Sequence, residues 1–180
     1  MAKKYLLSSC SKKPQTQRVV AVLPVDINVG QPSAYEDWQH NWLINHGNPV
    51  REAVNTGLVN NRENLNIRIV DTNHIDRIVE QHKFEASEWS DTSKVAEIGR
   101  ALNADCIVIT TVTHNGKVSE SDMFEWRIFV TVSVLDINTM ELLTKTDATL
   151  KTNMVNVILL ESKDISLKPV GRSIKRLKFR

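Results

Sequence analysis

Eight residues, Arg18-Val19-Val20-Ala21-Val22-Leu23-Pro24-Val25, constrain this chain more than any other stretch. The run is almost continuously apolar at strand length, where a half-exposed strand would alternate. That is the mark of a central strand covered on both faces. Such a strand needs neighbours in a sheet and further layers on top of it. The signals downstream supply both. Asp26 to Ser33 reads as a loop through Asn28, Gly30 and Pro32. Ala34 to His46 has a helical pattern, with Trp38 and Trp42 four apart on one face. Asn48-Pro49 has the form of an N-cap followed by proline at the first helical position, and predicts a second helix to about Asn61, with Val50, Ala53, Val54 and Leu58 on its apolar face. Leu65, Ile67 and Ile69 alternate and predict a strand.

Asp71-Thr72-Asn73 can cap a helix to about Phe84 that turns Ile75, Ile78 and Val79 inward and carries His82 near its end. Ser90-Asp91-Thr92 can cap another, Ser93 to Leu102, with Val95, Ala96, Ile98 and Leu102 inward. Cys106 to Val112 reads as a buried β-branched strand. After His114-Asn115-Gly116, a long strand from Met123 to Ile137 places Phe124, Trp126, Ile128, Val130, Val132 and Val134 on one face. Asn138-Thr139 turns it back into Glu141 to Leu150, a hairpin. The last three strands need no crossover helix, whereas the first ones do. The prediction is one α/β (α+β) domain. Strands near 19–25, 66–70, 106–113, 123–136 and 141–150 share a mixed sheet of about five strands, with the 50–61, 74–83 and 93–102 helices packed on it.

Charge divides the chain into three parts. Residues 1–18 carry five Lys/Arg and no acid, and residues 161–180 carry seven against two acids. The stretch 19–160 therefore holds 11 bases against 19 acids. A nucleic-acid-binding domain carries its positive charge on the folded body, and this body is acidic, so no nucleic acid is expected as partner. No apolar run approaches the ~20 residues of a membrane-spanning helix.

Catalytic and metal-binding patterns are missing. The six glycines are scattered and form neither GxGxxG nor GxxxxGK[ST], and there is no G-x-S-x-G elbow. The five histidines, His40, His46, His74, His82 and His114, lack metal-ligand spacing, and His74 and His82 suit surface or helix-end roles. Asp71 and Asp76 bracket a helix start, where negative charge complements the helix dipole, and capping explains them better than acid–base chemistry. Cys106, among Ile107, Val108 and Ile109, reads as a small buried hydrophobe. We expect no enzyme, no cofactor and no metal.

The other cysteine is different. Leu7-Ser8-Ser9-Cys10 has the form of a bacterial lipobox, with a large aliphatic three before the cysteine and a small residue just before it. Met1-Ala2-Lys3-Lys4 supplies a positive n-region, and Ser11 to Gln17 a polar, basic tether. Tyr5-Leu6-Leu7 is shorter than the roughly 7–15 apolar residues of a complete signal. The start is therefore either shortened or a chance Leu-Ser-Ser-Cys in a cytoplasmic protein. The lipobox reading makes Cys10 the lipidated residue. It divides the chain into a signal remnant and tether (1–17), a globular domain (18–150) and a basic C-terminal segment (151–180).

Several stretches together resemble the CsgG-like family of curli-secretion lipoproteins. Ile69-Val70-Asp71-Thr72-Asn73-His74-Ile75-Asp76-Arg77-Ile78-Val79-Glu80-Gln81-His82-Lys83 is similar to its "VVDR…L-x-x-I-L-x-E-Q" segment. Val95 to Asp105 resembles "A-x-x-I-G-x-x-L-x-A-D", and Phe129 to Glu141 resembles "V-R-L-V-D-x-x-T-G-E", with Met140 in place of the turn glycine. Val20-Ala21-Val22-Leu23-Pro24 suits the first strand. The gap between Val112 and Phe124 is too short for membrane hairpins whose strands need ~9–11 residues each. The channel activity is therefore not implied, and the LpoB-like branch is closer in size. The resemblance implies a non-enzymatic lipoprotein on the periplasmic face of the outer membrane. It would touch the membrane only through Cys10 and bind a periplasmic or envelope protein, with activation of a penicillin-binding protein as one such role. The alternative it implies is a self-associating subunit of an envelope secretion or assembly complex. A small-ligand or enzymatic role for the Asn28–Trp42 loop and helix is a third reading. Tyr35, Trp38 and Trp42 lie outside the best-matching blocks, and aromatic residues anchor protein interfaces, so these three are the candidate partner-binding residues.

Overall fold

The structure is a computed structural model that describes residues 17–29, 37–118 and 124–153, with side chains over 17–28, 50–113 and 129–147. Cys10 with its tether up to Thr16, Tyr35 and the segment from residue 154 lie outside the described residues.

Strand β1 (Arg18–Val22) is central, as its apolar run predicts. It pairs in parallel with β3 (Ile67–Ile69) on one side and with β4 (Cys106–Val118) on the other. β4, β5 (Phe124–Asp136) and β6 (Leu142–Asn153) then run antiparallel, giving the order β3-β1-β4-β5-β6. The mixed sheet is the predicted one, and the parallel members are those joined through helices.

Burial along β1 shows why the run is continuous. Val20 and Val22 face α1 (Asp37–Leu65), in one core with Val50, Val54, Leu58, Val108, Val130, Val132 and Val134. Ala21 and Leu23 face the opposite layer, with Ile75, Trp89, Val95, Ile98 and Leu102. That layer consists of α2 (Thr72–Gln81), a 3-10 turn (Ala86–Ser90) and α3 (Thr92–Ala101). Each buried valine or leucine contributes about 1.5–3 kcal/mol, so two complete faces outweigh the alternation that an exposed face would allow.

The capping signals hold in detail. The Asp71 carboxylate accepts from the His74 amide and opens α2, and Asp91 accepts from Ser93 and opens α3. Both helices close alike. Lys83 and Asn103 take positive φ, their amides donate to Glu80 and Arg100, and the next amides, Phe84 and Ala104, reach back to Val79 and Gly99. This satisfies carbonyls that the helix ends leave open. His82 sits at the end of α2, as expected, stacked on Phe84 with ring centroids 5.5 Å apart.

Four expectations change. The two helices separated at Asn48-Pro49 are one 29-residue helix, α1, with the proline inside it. An interior proline removes one backbone bond, a local cost that tertiary packing of the Val50–Val54–Leu58 stripe overrides. The Asp26–Ser33 loop begins with a strand, β2 (Asp26–Val29), which pairs in parallel with Thr111–His114 and makes the sheet six-stranded. The first strand stops at Val22 because Pro24 has no N–H to give a ladder; β2 then rejoins the same edge of β4. β4 continues past its expected end near residue 113 through His114-Asn115-Gly116 to Val118, paired with β5 throughout.

Candidate functional site

The candidate contact residues are not gathered into one described site. Trp38 and Trp42 lie one turn apart at the start of α1; their side chains, like those of Phe124, Trp126 and Ile128, are outside the described residues. No helix among the described residues is long and apolar enough to cross a membrane. Those residues also contain no group of three or more His, Cys, Asp or Glu arranged to hold a metal ion.

A polar cleft of about 470 Å³ opens between α1 and the start of α2, lined by Arg51, Glu52, Asn55, Thr56, Thr72 and Asp76. Its anchor is Arg51, 6% exposed and one residue past Val50 in the buried stripe of α1. Nε and Nη2 of Arg51 both donate to the Val22 carbonyl, at 3.2 and 3.1 Å, at the carboxyl end of β1. Nη1 donates to Asp76 Oδ1 at 2.5 Å. Asp76 is half-exposed, so the pair joins a buried cation to a carboxylate facing solvent. Beside it, Asn55 Nδ2 donates to Thr72 Oγ1 at 3.3 Å, while Asn55 Oδ1 is buried with no partner among the described residues. Asp71 acts as the expected cap. Asp76 does not; it is the partner of Arg51, which was invisible in sequence because 25 residues separate the two.

The second polar cluster lies at the opposite end of β1. Arg18 Nη1 donates to Asp136 Oδ2 at 2.9 Å and to Cys106 Sγ at 3.3 Å. Cys106 is fully buried, as predicted, and burial pushes its thiol up, against the lowering effect of Arg18. The hydrogen bond to Cys106 is the largest cause that raises the Arg18 guanidinium above its ordinary value. Neither aspect of this cluster suggests a nucleophile: a protonated, buried thiol is inert.

The sequence also missed Trp89. This indole is 3% exposed in the 3-10 turn, and Nε1 donates to the Pro24 carbonyl at 2.8 Å, fixing the break between β1 and β2.

No family model and no curated protein sequence matches the chain. Solved structures do. A variant PelC dodecamer from Paraburkholderia phytofirmans aligns at a TM-score of 0.51 and 14% identity, covering 92% of this chain and 91% of that one. A second PelC dodecamer from the same organism gives 0.50 and 13%, covering 91% of each chain. The LpoB C-terminal domain from Escherichia coli aligns at 0.47 and 15%, over 78% of this chain and 87% of that one. At these identities the likeness to PelC is one of fold.

Proposed function

We propose that the protein is a non-enzymatic bacterial cell-envelope lipoprotein, anchored by a lipid on Cys10, whose globular domain binds a periplasmic protein partner. The observation that carries the reading is how the CsgG-like blocks fall on the fold. Val20–Pro24 falls on the end of β1 and the break after it, Ile69–Lys83 runs from the last residue of β3 through α2, Val95–Asp105 takes most of α3 with its closing turn, and Phe129–Glu141 takes the second half of β5 with the hairpin turn. Blocks that match in order and fall on successive elements of one domain support a shared domain rather than scattered chance. Activation of a penicillin-binding protein is the specific role within this reading that the LpoB-like branch suggests. Mass spectrometry of protein extracted from bacterial membranes should find diacylglycerol on Cys10, and pull-down from envelope extract should return one saturable partner. An unmodified cytosolic protein would overturn the anchor and the periplasmic assignment together.

A second reading is a subunit of an oligomeric envelope secretion or assembly complex, formed without membrane hairpins. Its support is the PelC likeness, since that protein forms a dodecamer and aligns over 92% of this chain. Size-exclusion chromatography with light scattering separates the two, because a ring elutes many-fold above the 20.4 kDa monomer.

A further inference from the structure

The cleft beside Arg51 occupies a distinctive place in the topology. β1 and β3 are neighbouring parallel strands, yet the helices that follow them lie on opposite faces: α1 in the core with Val20 and Val22, α2 in the core with Ala21 and Leu23. Where adjacent strands send their connections to opposite faces, a crevice opens at their carboxyl ends, and α/β sheets bind ligands there. The cleft is at that point: Arg51 grips the carbonyl of Val22, the last residue of β1, and Thr72 begins the helix after β3.

Its chemistry is unusual for such a crevice. The two features that would draw a phosphate are already neutralised. The Asp71 carboxylate accepts from the first turn of α2, and Arg51 is committed to the Val22 carbonyl and Asp76. What the lining offers is acceptors: the Glu52 and Asp76 carboxylates and the Thr56 and Thr72 hydroxyls, with net charge −1 over the six residues. The Asp76 carboxylate is held in place by a buried guanidinium, so it needs little ordering to receive a donor.

We propose that this cleft binds a cationic hydrogen-bond donor, a primary ammonium or guanidinium, through the Glu52 and Asp76 carboxylates with the threonine hydroxyls as supporting acceptors. The group can be a free amine or the tip of a lysine or arginine on a protein. The inference is independent of which partner the domain serves.

The test titrates the isotope-labelled full chain with N-acetyl-lysine methylamide, N-acetyl-arginine methylamide, putrescine, inorganic phosphate and the neutral N-acetyl-norleucine methylamide. Saturable shifts of the Thr72 amide and the Asn55 side-chain amide are expected with the cations, at affinities on the order of millimolar, and none with norleucine. Glu52 is exposed, so Glu52→Gln should leave the rest of the spectrum unchanged while weakening cation binding several-fold. Tighter binding of putrescine than of the capped amino acids assigns the site to free amines; the reverse order assigns it to a protein side chain. The proposal fails if norleucine or phosphate shifts the same resonances as strongly, if the cations shift none of them, or if Glu52→Gln binds unchanged.

Discussion

Arg18 and Asp136 are 118 positions apart in the chain and 2.9 Å apart in the fold. One contact thereby joins the first residue of the central strand to the last residue of β5. Asp136 is 5% exposed and fully engaged: one oxygen takes Arg18, and the other accepts from the Asn138 and Thr139 amides at 2.9 and 3.0 Å and shapes the hairpin turn. Burial pushes the Asp136 carboxyl up, but the Thr139 and Asn138 amides and the Arg18 guanidinium together outweigh it, so it titrates below the usual carboxylate range.

A depressed carboxylate contributes stability above its unfolded pKa of about 3.9 and loses it as pH falls through the lower folded value. Asp136→Asn should therefore cost roughly 1.5–3 kcal/mol at neutral pH, as expected for hydrogen bonds to a charged group. The penalty should shrink as the wild-type carboxyl protonates below about pH 4. Urea unfolding of both proteins at neutral and acidic pH checks this; an equal penalty at both would show that the charge is irrelevant.

Gly99 stands so close to Ile137 that a β-carbon there would lie 2.6 and 2.7 Å from its Cγ1 and Cδ1. Gly99→Ala should destabilise by about 1–3 kcal/mol despite its better helix propensity. In an Ile137→Ala background the same substitution should cost much less, and a double-mutant cycle on thermal or urea unfolding reads the difference.

The parts legible in the sequence were those whose signals are local. The double-faced run Val19–Leu23, the caps Asp71 and Asp91 and the alternation at Val130, Val132 and Val134 each announce their element within a few residues. Failures came where distant partners decide. β2 exists because Thr111–His114 offers an edge beyond the end of β1, and α1 runs through Pro49 because its downstream stripe is packed. The cleft was illegible for the same reason: Val22, Arg51 and Asp76 come from three elements, and no short motif contains more than one of them.

Trp89→Phe keeps an aromatic ring in the layer but removes the N–H that meets the Pro24 carbonyl and one ring of the indole. The lost neutral hydrogen bond predicts about 1 kcal/mol of destabilisation, and the void left by the smaller ring adds to it. Hydrogen exchange should quicken at Asp26–Val29, the strand that begins just after that carbonyl. Exchange unchanged at β2 would separate the indole from the strand break.

Met140 occupies the hairpin turn at φ 61, a left-handed conformation that costs a residue with a β-carbon roughly 1 kcal/mol, and its side chain is exposed. Met140→Gly removes that strain without removing a core contact. It should raise the unfolding free energy by up to about 1 kcal/mol, less the extra entropy of glycine in the unfolded chain. The denaturation midpoint measures the sign; a fall would mean that the methionine side chain packs in a way that outweighs the strain.

The partner-contact assignment turns on Trp38. It stands at the start of α1, ahead of the buried stripe Val50, Val54 and Leu58, and tryptophan is a frequent anchor of protein contacts. Trp38→Ala should leave thermal stability nearly unchanged and abolish capture of the envelope partner, with Trp42→Ala acting in the same direction. A Trp38→Ala protein that loses the ~3–5 kcal/mol of an aromatic core truncation would instead make the residue a staple of helix to sheet. A stable variant that still captures the partner would move the interface away from the start of α1.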